Sequence, residues 1–170
     1  DLGMNAIMCA IKDYQPVSLI GLLKYINSKL EPDEIRTVIN HNNNFGDNPL
    51  LLAIKLANQH AFDLLLKTPH IDVNYFDLGG TTGLMVAIET KNKYYIEKII
   101  NCADIDVNVC NKFGKSPIMK AVETENMESI VDLLNKNVNA GSVDSLGRSI
   151  FFNIVALKYK SDLGYNRPYT

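Results

Sequence analysis

Basic residues do not predominate in this chain: 17 lysines and arginines stand against 19 acids, for a formal net charge of −2. With a pI near 5.9, it lacks the basic stripe that binding along a nucleic-acid backbone requires, so no nucleic-acid partner is expected. Apolar residues are plentiful at 46%, yet no run approaches the ~20 consecutive apolar residues that cross a bilayer, so membrane insertion is not expected either. No signal peptide is visible, and because the chain opens at Asp1 its natural start is expected to lie upstream. The three cysteines have no framework spacing, and there is no Asn-x-Ser/Thr acceptor triplet. Both absences favour a reducing, intracellular compartment, and the expected location is the cytoplasm.

Signatures of catalysis are missing as well. There is no P-loop, no Gly-x-Ser-x-Gly elbow and no Gly-x-Gly-x-x-Gly turn. His41, His60 and His70 have no Cys or Asp at ligand spacing, so no metal is expected. Cys102 and Cys110 read as ordinary buried small residues, and Met85, Met119 and Met127 as core filler. The chain is therefore read as a non-enzyme with no catalytic residues and no cofactor.

What the chain does contain is a period. Asn111-Lys-Phe-Gly-Lys-Ser-Pro-Ile-Met-Lys-Ala-Val122 is matched upstream by Asn44-Phe-Gly-Asp-Asn-Pro-Leu-Leu-Leu-Ala-Ile54 and by Leu78-Gly-Gly-Thr-Thr-Gly-Leu-Met-Val-Ala-Ile88. Ala53, Ala87 and Ala121 fall 34 residues apart, as do Gly46, Gly80 and Gly114, and Gly147 follows after 33. The second halves of the units agree too: Phe62-Asp-Leu-Leu-Leu66, Ile96-Glu-Lys-Ile-Ile100 and Ile130-Val-Asp-Leu-Leu134, with Asp72-Val-Asn74 and Asp106-Val-Asn108 between them. Self-similarity at such a period marks a stack of supersecondary units that bury their apolar faces against one another. Gly79 to Gly83 has the look of a phosphate cradle, but Gly80, Thr82 and Leu84 match their counterparts one unit away, which makes it a repeat turn.

The unit resembles an ankyrin repeat, whose signature near 33 residues is a Thr-Pro-Leu-His-x-Ala turn and helix. The matching residues are Asn48-Pro-Leu-Leu-Leu-Ala53, Thr82-Gly-Leu-Met-Val-Ala87 and Ser116-Pro-Ile-Met-Lys-Ala121. One departure is consistent: apolar Met8, Leu51, Met85, Met119 and Phe152 stand where the family has His. The resemblance implies an all-α ankyrin-repeat solenoid of stacked helix-turn-helix units with β-turn fingers. Units are expected over 1–42, 43–76, 77–110, 111–143 and, in part, 144–160, with a tail at 161–170. The pattern predicts helices over 5–13, 49–57, 59–67, 84–91, 94–102, 117–123 and 127–136, and a second helix beginning at Pro16. The repeat glycines are expected to need positive φ, and Asn74 and Asn108 to bond back to their own turns.

The ends and the first unit are irregular. Asp1 and Leu2 place the start inside a turn, as in a piece excised from a longer array, while Ile150 and Ile154 replace the turn proline and helix alanine of the last unit. Gly3 to Gly46 spans 43 residues rather than 34, and the excess lies within 28–40. Glu31-Pro-Asp-Glu34 reads as a helix start, giving a short extra helix over 33–39. That insertion is open to two readings, a binding feature or a second helix folded back on the array edge.

Function follows from the resemblance. The fold implies a protein-interaction scaffold, expected to be monomeric, whose partner protein lies in the concave groove of finger tips and first helices. Carried onto this sequence, the tips are Phe45, Asp47, Tyr75, Phe76, Leu78, Thr81, Lys112, Phe113, Lys115 and Arg148, with Asn44, Val109, Ser145 and Leu146 beside them. The helix side contributes Lys55, Glu89 and Glu123, along with Leu56, Thr90 and Thr124. Phe45, Tyr75, Phe76 and Phe113 either anchor a partner or pack sideways on the next finger. A microbial effector delivered into a host cell to capture a host protein, or a regulatory module of a larger enzyme or channel, would use the same groove.

Overall fold

The computed structural model describes residues 2–155; the end of the last predicted unit and the 161–170 tail lie outside them. The chain forms α1 (Ala6–Lys12), α2 (Pro16–Lys29), α3 (Pro32–Ile39), α4 (Pro49–Lys55), α5 (Gln59–Leu66), α6 (Gly83–Glu89), α7 (Lys93–Ile100), α8 (Pro117–Glu123) and α9 (Met127–Leu134). Residues 150–155 are helical as well. Among the described residues, β structure consists of isolated antiparallel bridges between Phe76 and Thr82 and between Val143 and Ser149. The expected all-α solenoid with β-turn fingers is the architecture observed.

The helices are short because both ends are fixed locally. Asn5, Asn48 and Thr82 precede α1, α4 and α6, and each side-chain oxygen accepts the backbone N–H three residues on, which satisfies a donor the helix cannot. Pro49 and Pro117 occupy the first helical turn, where a missing N–H costs nothing. Each first helix then stops in the same way. After α4, the Ala57 N–H donates to the Ile54 carbonyl and the Asn58 N–H to the Ala53 carbonyl, with Ala57 left-handed at φ 52°. This is a Schellman closure. It recurs at Lys91 and Glu125, also left-handed, with Asn92 bonded to Ala87 and Asn126 to Ala121. The same asparagines at once cap the next helix, since Asn58, Asn92 and Asn126 accept the N–H groups of Ala61, Tyr95 and Ser129. Most helices end one or two residues before their predicted ends, α8 ends as predicted at Glu123, and α6 and α7 begin one residue earlier than predicted.

Helices of seven or eight residues are marginal alone, and packing supplies their stability. The first helices α1, α4, α6 and α8 stack in that order, with α2 against α5 and α7 against α9 behind them. Ala53, Ala87 and Ala121 are fully buried. Met8, Leu51, Met85 and Met119, in the family's histidine position, are buried too, so core packing replaces any polar contact there; Phe152 is exposed. Between α5 and α7, the Phe62 and Tyr95 rings meet edge to face at 4.7 Å.

Three expectations are corrected. Met127, at the first position of α9, is 68% exposed and fills no core. Cys110 is exposed rather than buried. Asn74 and Asn108 do not bond to their own turns: the Asn74 amide donates to the Asp104 carbonyl at 2.7 Å and accepts the Asp106 N–H at 2.8 Å, and Asn108 bridges likewise to Asn137 and Asn139. Each clamps the next turn of the stack, while Asp72 and Asp106 close the local turns by accepting the Asn74 and Asn108 N–H groups. Asn40 does the same to His70 and Asp72, at 2.8 Å each way, so it is the first rung of this ladder and the extra residues lie upstream of it. They form a lengthened α2 and a separate α3, whose Ile35 and Ile39 are buried. Glu34 reaches back to the Glu31 N–H, and the Asn5 amide donates to the Val38 carbonyl, fixing α3 against the start of α1.

Candidate functional site

Four fingers project from the stack, and an Asn or Asp side chain shapes each. Asn43, Asp77, Asn111 and Asp144 turn a side-chain oxygen inward to accept two backbone N–H groups, those two and four residues on, at 2.8 to 3.0 Å. The repeat glycine completes the turn with positive φ. At Gly46, φ is 79° and an added Cβ would lie 2.6 Å from the backbone nitrogen of Leu78; only glycine suits both the left-handed backbone and the adjacent finger. Neighbouring fingers are joined by main-chain bonds from Asn44 to Leu2, Leu78 to Phe45, Lys112 to Gly79 and Ser145 to Phe113.

This geometry throws the residue before each glycine outward. Phe45 is 58% exposed, Phe113 64% and Leu146 72%; the Asp77 finger has Gly79 in the same place. Phe76 and Leu78 are also exposed, and Phe76 stacks on half-buried Tyr75 with ring centres 6.2 Å apart. The rings of Phe45, Phe76 and Phe113 thus stand in solvent, and Tyr75 alone of the four is partly covered. Beside them a cleft of about 520 Å³ opens between Asn42 and Gly46, Tyr75 to Leu78 with Gly80, and Cys110 to Lys112.

The charged residues predicted on this face are brought together, and they meet one another. Lys55, at the end of α4, reaches into the fingers to Asp47 at 2.6 Å and Asp77 at 2.8 Å. Burial alone would lower the Lys55 pKa, but the hydrogen bonds and charges of the two carboxylates outweigh it and raise it. Burial would likewise raise Asp77, and the bond from Lys55 with the Thr81 and Gly79 N–H groups takes it below its usual range. Lys115 pairs with Glu123 at 2.8 Å, Lys120 with Glu89 at 3.3 Å, and Arg148 with Asp144 at 2.6 Å. Asp47 is only 5% exposed. Of the charged residues read from the sequence, Lys112 alone lacks an ion pair among the described residues. Thr81 is half-buried and donates its N–H to Asp77.

Sequence reasoning missed three sets of residues. The finger-shaping Asn43, Asp77 and Asn111, the capping Asn58, Asn92 and Asn126, and Asn40 with the cross-turn partners of Asn74 and Asn108 were not read; the finger-shaping, capping and bridging positions recur at 34 residues, so the period that exposed the glycines could have found them. Val143, exposed on the last finger, was missed too. Among the described residues no cluster of three His, Cys, Asp or Glu could hold a metal ion, and no helix is long and apolar enough to cross a membrane.

Helix pairs stacked on main-chain-linked β-turn fingers define a solenoid of repeated units. A model of three tandem ankyrin repeats matches residues 7–109, and the chain belongs to the ankyrin-repeat family. Ankyrin repeats are protein-interaction modules. No curated protein matches the chain significantly.

Proposed function

We propose that this chain is a protein-interaction scaffold that holds a partner protein against its fingers and first helices, acting by binding alone, as a monomer in the cytoplasm. The units are taken as 1–42, 43–76, 77–110, 111–143 and 144–160. The contact set is Phe45, Tyr75, Phe76, Leu78, Thr81, Lys112 and Phe113, with Asp47, Lys55, Glu89, Lys115, Glu123 and Arg148 shaping the floor through their ion pairs.

One observation carries the reading: Phe45, Phe76 and Phe113 are each more than half exposed at the ends of rigid turns. A ring in water contributes little to folding, whereas aromatic anchors dominate binding energy at interfaces. The test is affinity capture from cell extract with the native chain and a variant carrying Phe45, Tyr75, Phe76 and Phe113 all as alanine, after circular dichroism shows both are folded. A protein retained by the first and lost by the second is the expected result. Equal retention would move the interface off the fingers, to the α2–α3 region.

A further inference from the structure

In two units an ion pair ties the finger to its own first helix, and in the unit between them that pair is missing. The tie joins positions eight residues apart, Asp47 with Lys55 at 2.6 Å and Lys115 with Glu123 at 2.8 Å. The same positions of the intervening unit hold Thr81 and Glu89. The order of charge reverses across that unit. Upstream the finger carries the acid and the helix the base; downstream the finger carries the base and the helix the acid; Thr81 supplies neither sign. Glu89 thus has the acid of the downstream pattern without the ammonium group that Lys115 brings to Glu123.

Glu89 is in consequence the least covered carboxylate of the groove. Its side chain is 55% exposed, where those of Asp47, Asp77, Glu123 and Asp144 are exposed by 27% or less. Among the described residues its one ion pair is with Lys120 of the next first helix, and at 3.3 Å it is the longest on this face. Lys120 is itself largely buried, and a carboxylate has about four acceptor positions, so the solvent side of Glu89 is open to a second donor. The charges leave room for one. Asp47, Asp77 and Glu89 share two ammonium groups, those of Lys55 and Lys120, which leaves this stretch of the groove one positive charge short. Lys112, exposed on the next finger, pairs with none of the three. Thr81 adds a hydroxyl on the finger side, an acceptor that brings no charge of its own.

We infer that Glu89, with Thr81, receives a lysine or arginine side chain of the partner protein, whose charged head stands where the Lys115 ammonium stands one unit on. This rests on the groove reading above and adds to it the chemistry of one contact. Covering Glu89 with an uncharged partner surface would desolvate the carboxylate without compensation, which selects against such a surface.

The test uses a random peptide library displayed on phage, panned against the folded chain, with the enriched peptides resynthesised with a fluorescent label. The expected peptides share one Lys or Arg whose replacement by methionine weakens binding at least about tenfold, as the loss of one member of a covered charge pair should. Glu89→Gln keeps the shape, removes the charge and weakens the same peptides at least about tenfold. Their affinity also falls as NaCl is raised from roughly 50 to 500 mM, because salt screens the pair. Thr81→Lys supplies the missing cation from the chain itself, as Lys115 does, and blocks the peptides at least about tenfold while the urea unfolding midpoint stays in place or rises. Normal binding by both Glu89→Gln and Thr81→Lys, with loss in Phe113→Ser, would overturn the cation site and leave the groove reading standing. Unchanged binding in Phe113→Ser and Phe45→Ser as well, or no enrichment of any peptide, would overturn both. Enriched peptides that share an acidic residue, and are lost in Lys112→Met but not in Glu89→Gln, would overturn the cation as the charge this groove selects.

Discussion

The turn between the two helices of each unit carries a removable strain. Ala57, Lys91 and Glu125 sit at φ of 52°, 52° and 53°, where an L-residue's Cβ crowds the following carbonyl at a cost of roughly 1–2 kcal/mol. None of the three side chains forms a hydrogen bond that offsets this among the described residues, and all three are exposed. Replacing each by glycine relieves the crowding, and the greater freedom of glycine in the unfolded chain takes back about 0.5–1 kcal/mol. The net expectation is a gain of about 0.5–1 kcal/mol at each site, and on the order of 2 kcal/mol for Ala57→Gly, Lys91→Gly and Glu125→Gly combined, provided the sites add. In urea, with a slope of roughly 1–3 kcal/mol/M, the midpoint should rise by on the order of 1 M with the slope unchanged. The control runs the other way. Gly46→Ala puts a Cβ 2.6 Å from the Leu78 nitrogen on a left-handed backbone and should lose at least about 1–2 kcal/mol. A lower midpoint for any of the three glycine variants would refute the assignment of strain to those turns, whatever the control does.

The cross-turn asparagines and the core answer to simpler substitutions. Asn74→Ala removes both bonds to the Asp104–Asp106 turn and should cost about 1–3 kcal/mol by urea unfolding, while Asn74→Asp keeps the acceptor for the Asp106 N–H and should cost less. Leu65 is fully buried in α5, and Leu65→Ala should cost roughly 2–5 kcal/mol in the same assay. The Asp144 carboxyl is held at about 2, below its ordinary 3.8, chiefly by the side-chain bond from Arg148 and further by the Arg148 and Leu146 N–H groups. Because the folded value is the lower one, this contribution is complete above the ordinary value and is lost as pH falls through 3.8 toward about 2. A carbon-detected NMR titration should show Asp144 titrating near that lower limit and moving up in Arg148→Met; no movement would assign the shift to the backbone donors alone.

How far the sequence could be read depended on whether a feature repeats as a residue type. Ala53, Ala87 and Ala121 and the glycines recur as themselves, and they revealed the stacked helix pairs and fingers. The exposed tips were legible for a related reason: a residue one place before a turn glycine has a fixed outward direction, so Phe45 and Phe113 could be placed without coordinates. The left-handed turn residues could not, because Ala57, Lys91 and Glu125 share a conformation and no chemistry. The pairing of the groove's charges was hidden as well. Lys55 reaches Asp47 and Asp77 across 8 and 22 residues, a meeting that only the stacking of α4 beside two fingers creates. The bridging asparagines were seen, but their partners are backbone atoms 30 and 32 residues away, and backbone leaves no mark in a sequence.

Asn40 shows why the irregular first unit does not break the array. Counted from Gly3 the unit is too long, and that excess drew attention to residues 28–40 as a separate feature. Counted backward from Asn74, Asn40 is in register, and it makes the same two bonds to the next turn that Asn74 and Asn108 make. The boundary that must match the following unit is therefore intact. The extra length is taken up ahead of it, where α2 lengthens to Lys29 and α3 folds back to meet Asn5 through Val38. A stack held together turn by turn tolerates added residues wherever the last rung keeps its place. This leaves α3 with its apolar side buried by Ile35 and Ile39 and its polar residues in solvent, the arrangement of a helix that covers the array beside α1.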